Sequence, residues 1–97
     1  MIVVRVQLQV KPENRESFIG AFARHAEKSR QFAGCQAFNL LEDVQDTSAY
    51  SLYEEWASAE AFDAFRSSEE LKASGSTLFP LIDGKPTSTY YEAAVIN

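Results

Sequence analysis

The chain is poor in the side chains that most often bind metals. It contains one histidine, His25, and one cysteine, Cys35, among 97 residues. One cysteine excludes an internal disulfide and a zinc site built from several thiolates. One histidine cannot form a metal site without carboxylate ligands, and no carboxylate spacing around it indicates such a site. The chain also lacks a flavin or nicotinamide motif, so we predict neither a metal nor a cofactor.

Positive charge is also scarce. Nine lysine and arginine residues face 14 aspartate and glutamate residues, which gives a net charge of −5. The basic residues are scattered and form no stripe, which argues against nucleic acid and an anionic membrane surface as partners. No apolar run approaches the length of a membrane span, and the N-terminus alternates instead of forming a signal peptide. We therefore expect one domain over residues 1–97, located in the cytoplasm.

Alternating side chains predict that the chain begins with a β-strand, MIVVRVQLQV. One face carries Ile2, Val4, Val6, Leu8 and Val10, and the other carries Val3, Arg5, Gln7 and Gln9. A helix should then run from Pro12 to about Phe32, because Pro12 suits a first helical position and apolar residues recur every three or four positions. His25 lies on that apolar stripe together with Phe18 and Phe22.

The rest of the sequence predicts a hairpin, a second helical region and a last strand. CQAFNLLE and AYSLYEEW should pair around the polar turn DVQDTS, and Ser58 should cap a helix that turns Phe62 and Phe65 inward. Ser67 and Ser68 should interrupt this helix before a further helical piece that carries Leu71, Leu78, Leu81 and Ile82. DGKP should form a turn, and STYYEAAVI should form the last strand.

This order of elements is that of a ferredoxin-like βαββαβ fold of the α+β class. Its antiparallel sheet has helices on one face only. The opposite face of the first strand is neither cleanly polar nor cleanly apolar. It is therefore either solvated or packed against a second sheet, and a domain this small gains buried surface by pairing with a second copy.

Several short motifs occur in an order that resembles one family. They are the opening IVVRVQLQVKPEN, the Gly34–Cys35 step, the pair Glu54 and Trp56, and the pair Ala61 and Phe62. Together they are similar to the antibiotic-biosynthesis-monooxygenase-like family of dimeric α+β barrel proteins. The resemblance implies a homodimer in which two ferredoxin-like protomers close a barrel sheet to sheet. It also implies a pocket in each protomer, between the sheet and the helices.

Members of that family carry out different reactions, so the resemblance alone does not select one. Some are cofactor-free oxygenases of quinol-like or anthrone-like aromatics, others degrade haem, and one relative isomerises a phosphorylated sugar. Many have a histidine in helix two and another about five residues later, where this chain has Phe65 and Glu70. The haem-degrading branch also needs an asparagine on the first strand, which is absent here. The isomerase is disfavoured because phosphate recognition would require clustered basic groups.

Glu54 is a carboxylate on an otherwise apolar face of the third strand. Alternate side chains of a strand share a face, so Glu54 lies with Tyr50, Leu52 and Trp56. It could be a base with a raised pKa in an apolar pocket. It could instead be structural, with its head group bonded to a backbone amide or across a dimer interface. Trp56 could stack on an aromatic substrate or pack in the core.

His25 is the other ionisable group on an inward-facing stripe. It could act as a general base or as a hydrogen-bond donor to a substrate, or it could be a satisfied core histidine. Phe62, Phe65 and Phe38 would make a pocket apolar, which suits a flat hydrophobic ligand. The same rings could also fill the pocket and leave no site.

The sequence therefore supports two functions. The first is a cofactor-independent monooxygenase that acts on a small electron-rich aromatic, with His25 or Glu54 as the catalytic base. Substrate contacts would come from Trp56, Phe22, Phe62 and Phe65. The second is a non-catalytic homodimer that binds a hydrophobic small molecule or a partner protein. The absence of both helix-two histidines favours this second function.

Overall fold

The computed structural model describes all 97 residues, and its elements follow the predicted order. The strands are β1 (Ile2–Val10), β2 (Cys35–Glu42), β3 (Ala49–Trp56) and β4 (Ile82–Glu92), and the helices are α1 (Arg15–Ser29), α2 (Ala59–Arg66) and α3 (Glu69–Leu78). Short 3-10 turns, Pro12–Asn14 and Phe79–Leu81, precede α1 and β4. The α+β class and the ferredoxin-like order are confirmed.

The four strands form one antiparallel sheet in the order β2-β3-β1-β4. In β1, Val4 lies opposite Glu54 of β3 on one side and opposite Tyr90 of β4 on the other. Glu54 also lies opposite Phe38 of β2. Residues paired in this way share a face of the sheet. Glu54 is therefore in the middle of the sheet, on the side that the helices cover.

Aromatic side chains make up most of the core between the sheet and the helices. Of the five phenylalanines predicted to face inward from the two helices, Phe32 is half-buried, and four are buried: Phe18, Phe22, Phe62 and Phe65. The ring centroid of Phe65 lies 4.7 Å from that of Trp56 and 5.8 Å from that of Phe38. Full burial of one such side chain contributes roughly 1.5–3 kcal/mol. Phe65 thus joins the helices to the centre of the sheet.

The first helix ends at Ser29, three residues before the predicted end. The Phe32 amide bonds the carbonyl of Ser29, and the Gln31 amide bonds that of Lys28, which tightens the last turn. Phe32 consequently leaves the helix and packs edge-on against Phe65 with the ring centroids 5.2 Å apart. It remains an inward-facing residue, although the loop places it there and the helix does not.

The last strand begins at Ile82, whereas the sequence predicted a turn at DGKP and a strand from Ser88. Ile82 and Asp83 pair with the end of β1, and the register shifts before Thr87. Gly84, at φ 78, accommodates this irregularity, and Pro86 is tolerated because β4 is an edge strand. The predicted turn is therefore wrong. The strand also ends at Glu92, so the AAVI segment lies outside it.

No element of the chain covers the second face of the sheet. This face carries Val3, Arg5, Tyr53 and Tyr91, and the Arg5 guanidinium donates to the Tyr91 hydroxyl at 3.1 Å. Leu41 on β2 belongs to the same face and is 53% exposed. None of the helices combines the length and the apolar character that a membrane span needs.

Gly34 lies in the α1–β2 loop and packs closely against the start of α2. Its replacement by alanine should therefore destabilise the fold. Its φ is +85, and a Cβ there would lie 2.5 Å from the Ala61 Cβ. Gly84 has a similar φ of +78 but nothing within 4 Å, so Gly84→Ala is the matched control. We expect Gly34→Ala to lower the free energy of unfolding by roughly 1–3 kcal/mol more than the control does. Equal losses in urea denaturation would contradict a steric role for Gly34.

Candidate functional site

A cavity of about 260 Å³ lies on the helix-covered side of the sheet. Residues from β1, β3, β4 and all three helices line it, and 13 of the 20 lining residues are hydrophobic. Its ionisable lining residues are His25, Glu54, Arg66 and Tyr90. Both proposed bases therefore border one space.

Glu54 is 4% exposed and takes part in one hydrogen bond, in which its Oε1 accepts from the Trp56 indole Nε1 at 2.8 Å. Every fully buried side-chain oxygen or nitrogen in the structure has a hydrogen-bond partner. Glu54 Oε2 has none, so it is not fully buried. Because Glu54 lines the cavity, Oε2 is exposed to that space. Burial raises the pKa of Glu54 to about 7, and the bond from Trp56 opposes this shift. Near neutral pH the group can therefore take up or release a proton.

Trp56 is fully buried and is absent from the cavity lining. Its ring centroid lies 4.7 Å from that of Phe65 and 6.1 Å from that of Phe62. The sequence grouped Trp56 with the substrate contacts, but the structure places it behind the phenylalanines. Its contact with the site is the hydrogen bond to Glu54.

His25 is buried on α1, and its Nδ1 is surrounded by polar groups. Nδ1 lies 2.6 Å from Ser74 Oγ, 3.3 Å from Ser29 Oγ and 3.9 Å from Glu70 Oε1. The other nitrogen, Nε2, makes no hydrogen bond. Because every fully buried side-chain nitrogen has a partner, Nε2 is not fully buried. Burial lowers the pKa of His25, and the nearby Glu70 carboxylate partly offsets that effect. The imidazole is therefore largely neutral at pH 7.

The predicted substrate-contact phenylalanines border the cavity without filling it. Phe22, Phe62 and Phe65 all line it, whereas Phe38 is buried beneath them. His25 meets Phe22 and Phe38 edge-on, at ring-centroid distances of 5.9 and 5.2 Å. The rings thus leave an apolar space next to the two ionisable groups.

Residues 1–74 match the family described as antibiotic biosynthesis monooxygenase. This match covers well over half of the chain. The chain belongs to the antibiotic biosynthesis monooxygenase family. The resemblance inferred from the short motifs is therefore confirmed.

Two relatives of this family member are similar in sequence over part of their length. The chain is 32% identical to the uncharacterised protein sll1783 of Synechocystis sp. over 64% of this chain and 42% of that protein. It is 32% identical to YcnE, a candidate monooxygenase of Bacillus subtilis, over 58% of this chain and 59% of that protein. The matched part thus spans about half the length of these relatives.

Solved structures share the fold over nearly the whole chain. A candidate antibiotic biosynthesis monooxygenase from Caulobacter crescentus has a TM-score of 0.91 and 26% identity, over 97% of this chain and 90% of that one. SnoaB, a cofactor-independent oxygenase from Streptomyces nogalater crystallised as a point mutant, has a TM-score of 0.85 and 18% identity. That match covers 98% of this chain and 94% of SnoaB.

Sequence reasoning did not identify the polar partners of His25 or the cation beside the cavity. Ser29 is four residues after His25, and Ser74 is four after Glu70, which is the spacing of neighbours on a helix face. That spacing was the feature of the sequence that could have indicated these neighbours. Arg66 pairs with Asp63 at 2.7 Å, and its guanidinium lies 4.6 Å from the Phe62 ring centroid. Nothing in the local sequence indicated this stacking.

Side chains able to bind metals do not converge in this family member. No group of three or more His, Cys, Asp or Glu side chains has the geometry to hold a metal ion. Cys35 is half-buried, and burial is the main cause that raises the pKa of its thiol. The His25 imidazole and the Glu54 carboxyl group can exchange a proton near neutral pH in this cavity.

Glu54 should make the protein less stable as the pH rises. Its pKa is about 7 in the folded state and 4.5 without burial, so the folded state binds more protons between these values. Each unit of difference corresponds to roughly 1.4 kcal/mol, so about 3 kcal/mol should be lost between pH 4.5 and 7. Glu54→Gln keeps an acceptor for Trp56 and remains neutral. Its unfolding free energy relative to wild type should therefore rise by about 3 kcal/mol over this range.

Urea denaturation at several pH values and one protein concentration measures this difference. Glu60→Gln removes an exposed carboxylate from α2 and serves as the control. Its stability should follow wild type at every pH. A constant difference between Glu54→Gln and wild type across the range would contradict a strained, buried Glu54.

Proposed function

We propose that this protein is a cofactor-independent monooxygenase that acts on a small electron-rich aromatic. The observation that carries the proposal is the pair His25 and Glu54, which border one apolar cavity and each have an unbonded atom. Membership of the monooxygenase family supports the reaction type. The fold-level likeness to SnoaB, a cofactor-independent oxygenase, supports chemistry without a cofactor.

The cavity volume favours a substrate of one or two rings. Roughly 150 Å³ is enough for a benzene molecule, and ligand pockets usually begin at roughly 300 Å³. At about 260 Å³, this cavity suits a quinol or a naphthol better than a three-ring anthrone. Phe22, Phe62 and Phe65 would contact the faces and edges of the ring. Trp56 would act through Glu54, because it lies outside the cavity lining.

The reaction needs no external reductant because the substrate supplies all the electrons. A base removes the phenolic proton, and the resulting phenolate reduces O₂ and forms a C–O bond at an activated ring carbon. Loss of the hydrogen on that carbon, with cleavage of the O–O bond, leaves a quinone carbonyl. The second oxygen atom departs as water. In total the substrate loses two hydrogens and gains one oxygen atom.

Two proton-transfer groups match the proton count of this reaction. Two protons leave the substrate, one from oxygen and one from carbon, and two are delivered to the departing oxygen. Glu54, with a pKa of about 7, can accept and return a proton near neutral pH. Neutral His25 can do the same. The apolar walls would keep water from the reactive anion.

Oxygen uptake tests the proposal directly. An oxygen electrode should record the consumption of one O₂ per molecule of a one- or two-ring quinol or naphthol. Loss of a positioned acid–base group typically costs 10²–10⁴-fold, so His25→Ala and Glu54→Gln should each lower kcat by roughly 100-fold or more. Exposed Glu13→Gln serves as the control and should retain the wild-type rate.

The double variant His25→Ala, Glu54→Gln measures the background of spontaneous oxidation. Wild-type uptake no faster than this background, across the whole panel, would overturn the monooxygenase proposal. Ring binding without uptake would favour the second function, a non-catalytic homodimer with a hydrophobic small-molecule site. The open apolar cavity is the observation that supports this alternative function.

We also propose that two copies associate through the uncovered sheet face, as a homodimer. Val3, Leu41, Tyr53 and Tyr91 give this face apolar area that no element of the chain covers. Burial of apolar surface is the main source of favourable free energy when proteins associate. Light scattering should therefore give about twice the chain mass of 10.8 kDa.

Val3→Glu should convert this dimer to monomer, because association would have to bury a new carboxylate beside Glu55 of the same chain. Ala64→Glu introduces the same charge on the exposed side of α2 and should leave the dimer intact. Circular dichroism checks that both variants fold. A wild-type mass of one chain at micromolar concentration would refute the homodimer.

A further inference from the structure

The surroundings of His25 differ sharply between its two ring nitrogens. Three oxygen-bearing groups lie beside Nδ1: Ser74 Oγ at 2.6 Å, Ser29 Oγ at 3.3 Å and Glu70 Oε1 at 3.9 Å. None of them bonds Nε2. His25 borders the apolar cavity and also a second pocket of about 140 Å³, which it shares with Glu70 and Ser74. Because Nδ1 faces these two residues, Nε2 is the nitrogen without a protein partner and the one that a ligand could reach.

We propose that Glu70 and Ser74 are positioning residues that keep the proton of neutral His25 on Nδ1 and so present the Nε2 lone pair to the cavity. The catalytic meaning of this tautomer rests on the proposed function, because a base must offer a lone pair to the substrate. The tautomer itself is inferred from the Glu70 carboxylate beside Nδ1, since the two serine hydroxyls can donate as well as accept. It can be tested without turnover.

The acceptors around Nδ1 favour a proton there. An ionised carboxylate only accepts hydrogen bonds, and its negative charge stabilises an N–H that points towards it. Glu70 has a side-chain exposure of 19%, so solvent screens this charge less than it would at the surface. The two serine hydroxyls rotate freely and can accept from the same N–H.

Helical spacing fixes the two α3 groups relative to each other. Glu70 and Ser74 are four residues apart on α3, so both face α1 at the level of His25. Ser29 is four residues beyond His25 on α1 itself. A histidine whose remote nitrogen bonds hydroxyl groups and faces a carboxylate resembles the arrangement that orients catalytic histidines.

The other charges near His25 set its protonation state. Burial lowers the pKa of His25 most, Glu70 raises it, and Lys28, on the same helix, lowers it slightly. Glu54 of β3 and Arg66 of α2 border the cavity from its other sides. Removal of the Glu70 charge should therefore lower the His25 pKa further. It should also reduce the preference for the Nδ1–H tautomer.

Nitrogen NMR of the imidazole measures the tautomer. His25 is the only histidine, so ¹⁵N-labelled protein gives one pair of ring-nitrogen signals. At a pH above the titration of His25, the wild type should show Nδ1 protonated and Nε2 unprotonated. Glu70→Gln should shift the population towards the Nε2–H tautomer and lower the titration midpoint. Ser74→Ala should shift the tautomer in the same direction.

Matched variants separate positioning from a general effect on the helix. Glu69→Gln removes the neighbouring carboxylate of α3, whose side chain is 91% exposed and lies 3.5 Å from Lys72 Nζ, and should leave both signals unchanged. Glu70→Asp keeps the charge and should restore the Nδ1–H population in part. Backbone amide spectra identify which variants retain the native fold, and those variants are compared.

An Nε2–H tautomer in the wild type, or ring signals that are the same in folded Glu70→Gln and wild type, would overturn the proposal. If oxygen uptake is absent but the tautomer is as expected, the proposed function fails and the positioning role stands. If uptake is present, Glu70→Gln should lower kcat roughly tenfold or more with little change in KM.

Discussion

The hydrogen bond from the Trp56 indole to the Glu54 carboxyl group is the contact on which the cavity depends. Strand alternation places both residues on the buried face of β3, so each brings a polar group into an apolar core. Trp56 supplies a donor and Glu54 supplies an acceptor, which satisfies one oxygen and the only indole nitrogen. The second carboxyl oxygen still needs space or a partner. The cavity supplies that space, so the same contact anchors the core and presents a titratable group.

Aromatic packing keeps the cavity apolar and holds α1 and α2 against the sheet around it. Phe65 lies at the centre of this arrangement, with its ring 4.7 Å from Trp56 and 6.2 Å from His25. The Phe65 ring thus packs against His25 and against the indole that bonds Glu54. The proposed acid–base groups therefore come from β3 and α1, and α3 contributes Glu70 and Ser74 as neighbours of His25.

The periodicity of the sequence predicts much of the fold and part of the site. Strict alternation in β1 and β3 and the apolar stripe of α1 correctly placed Glu54 and His25 on inward faces. The start of β4 was missed because DGKP has turn-forming residues, yet long-range pairing with β1 outweighs that local preference. The neighbours of His25 and the position of Trp56 behind the cavity depend on how α3 and α2 pack, which no single-strand or single-helix pattern contains.

The central claim is that an aromatic ring occupies the cavity beside His25 and Glu54. A crystal structure with an unreactive one- or two-ring quinone tests it most directly. We expect the ring to lie among Phe22, Phe62 and Phe65, with an oxygen atom within hydrogen-bonding distance of His25 Nε2 or of a protonated Glu54 Oε2. An empty or collapsed cavity at saturating quinone, or a ring bound only elsewhere on the protein, would contradict the account.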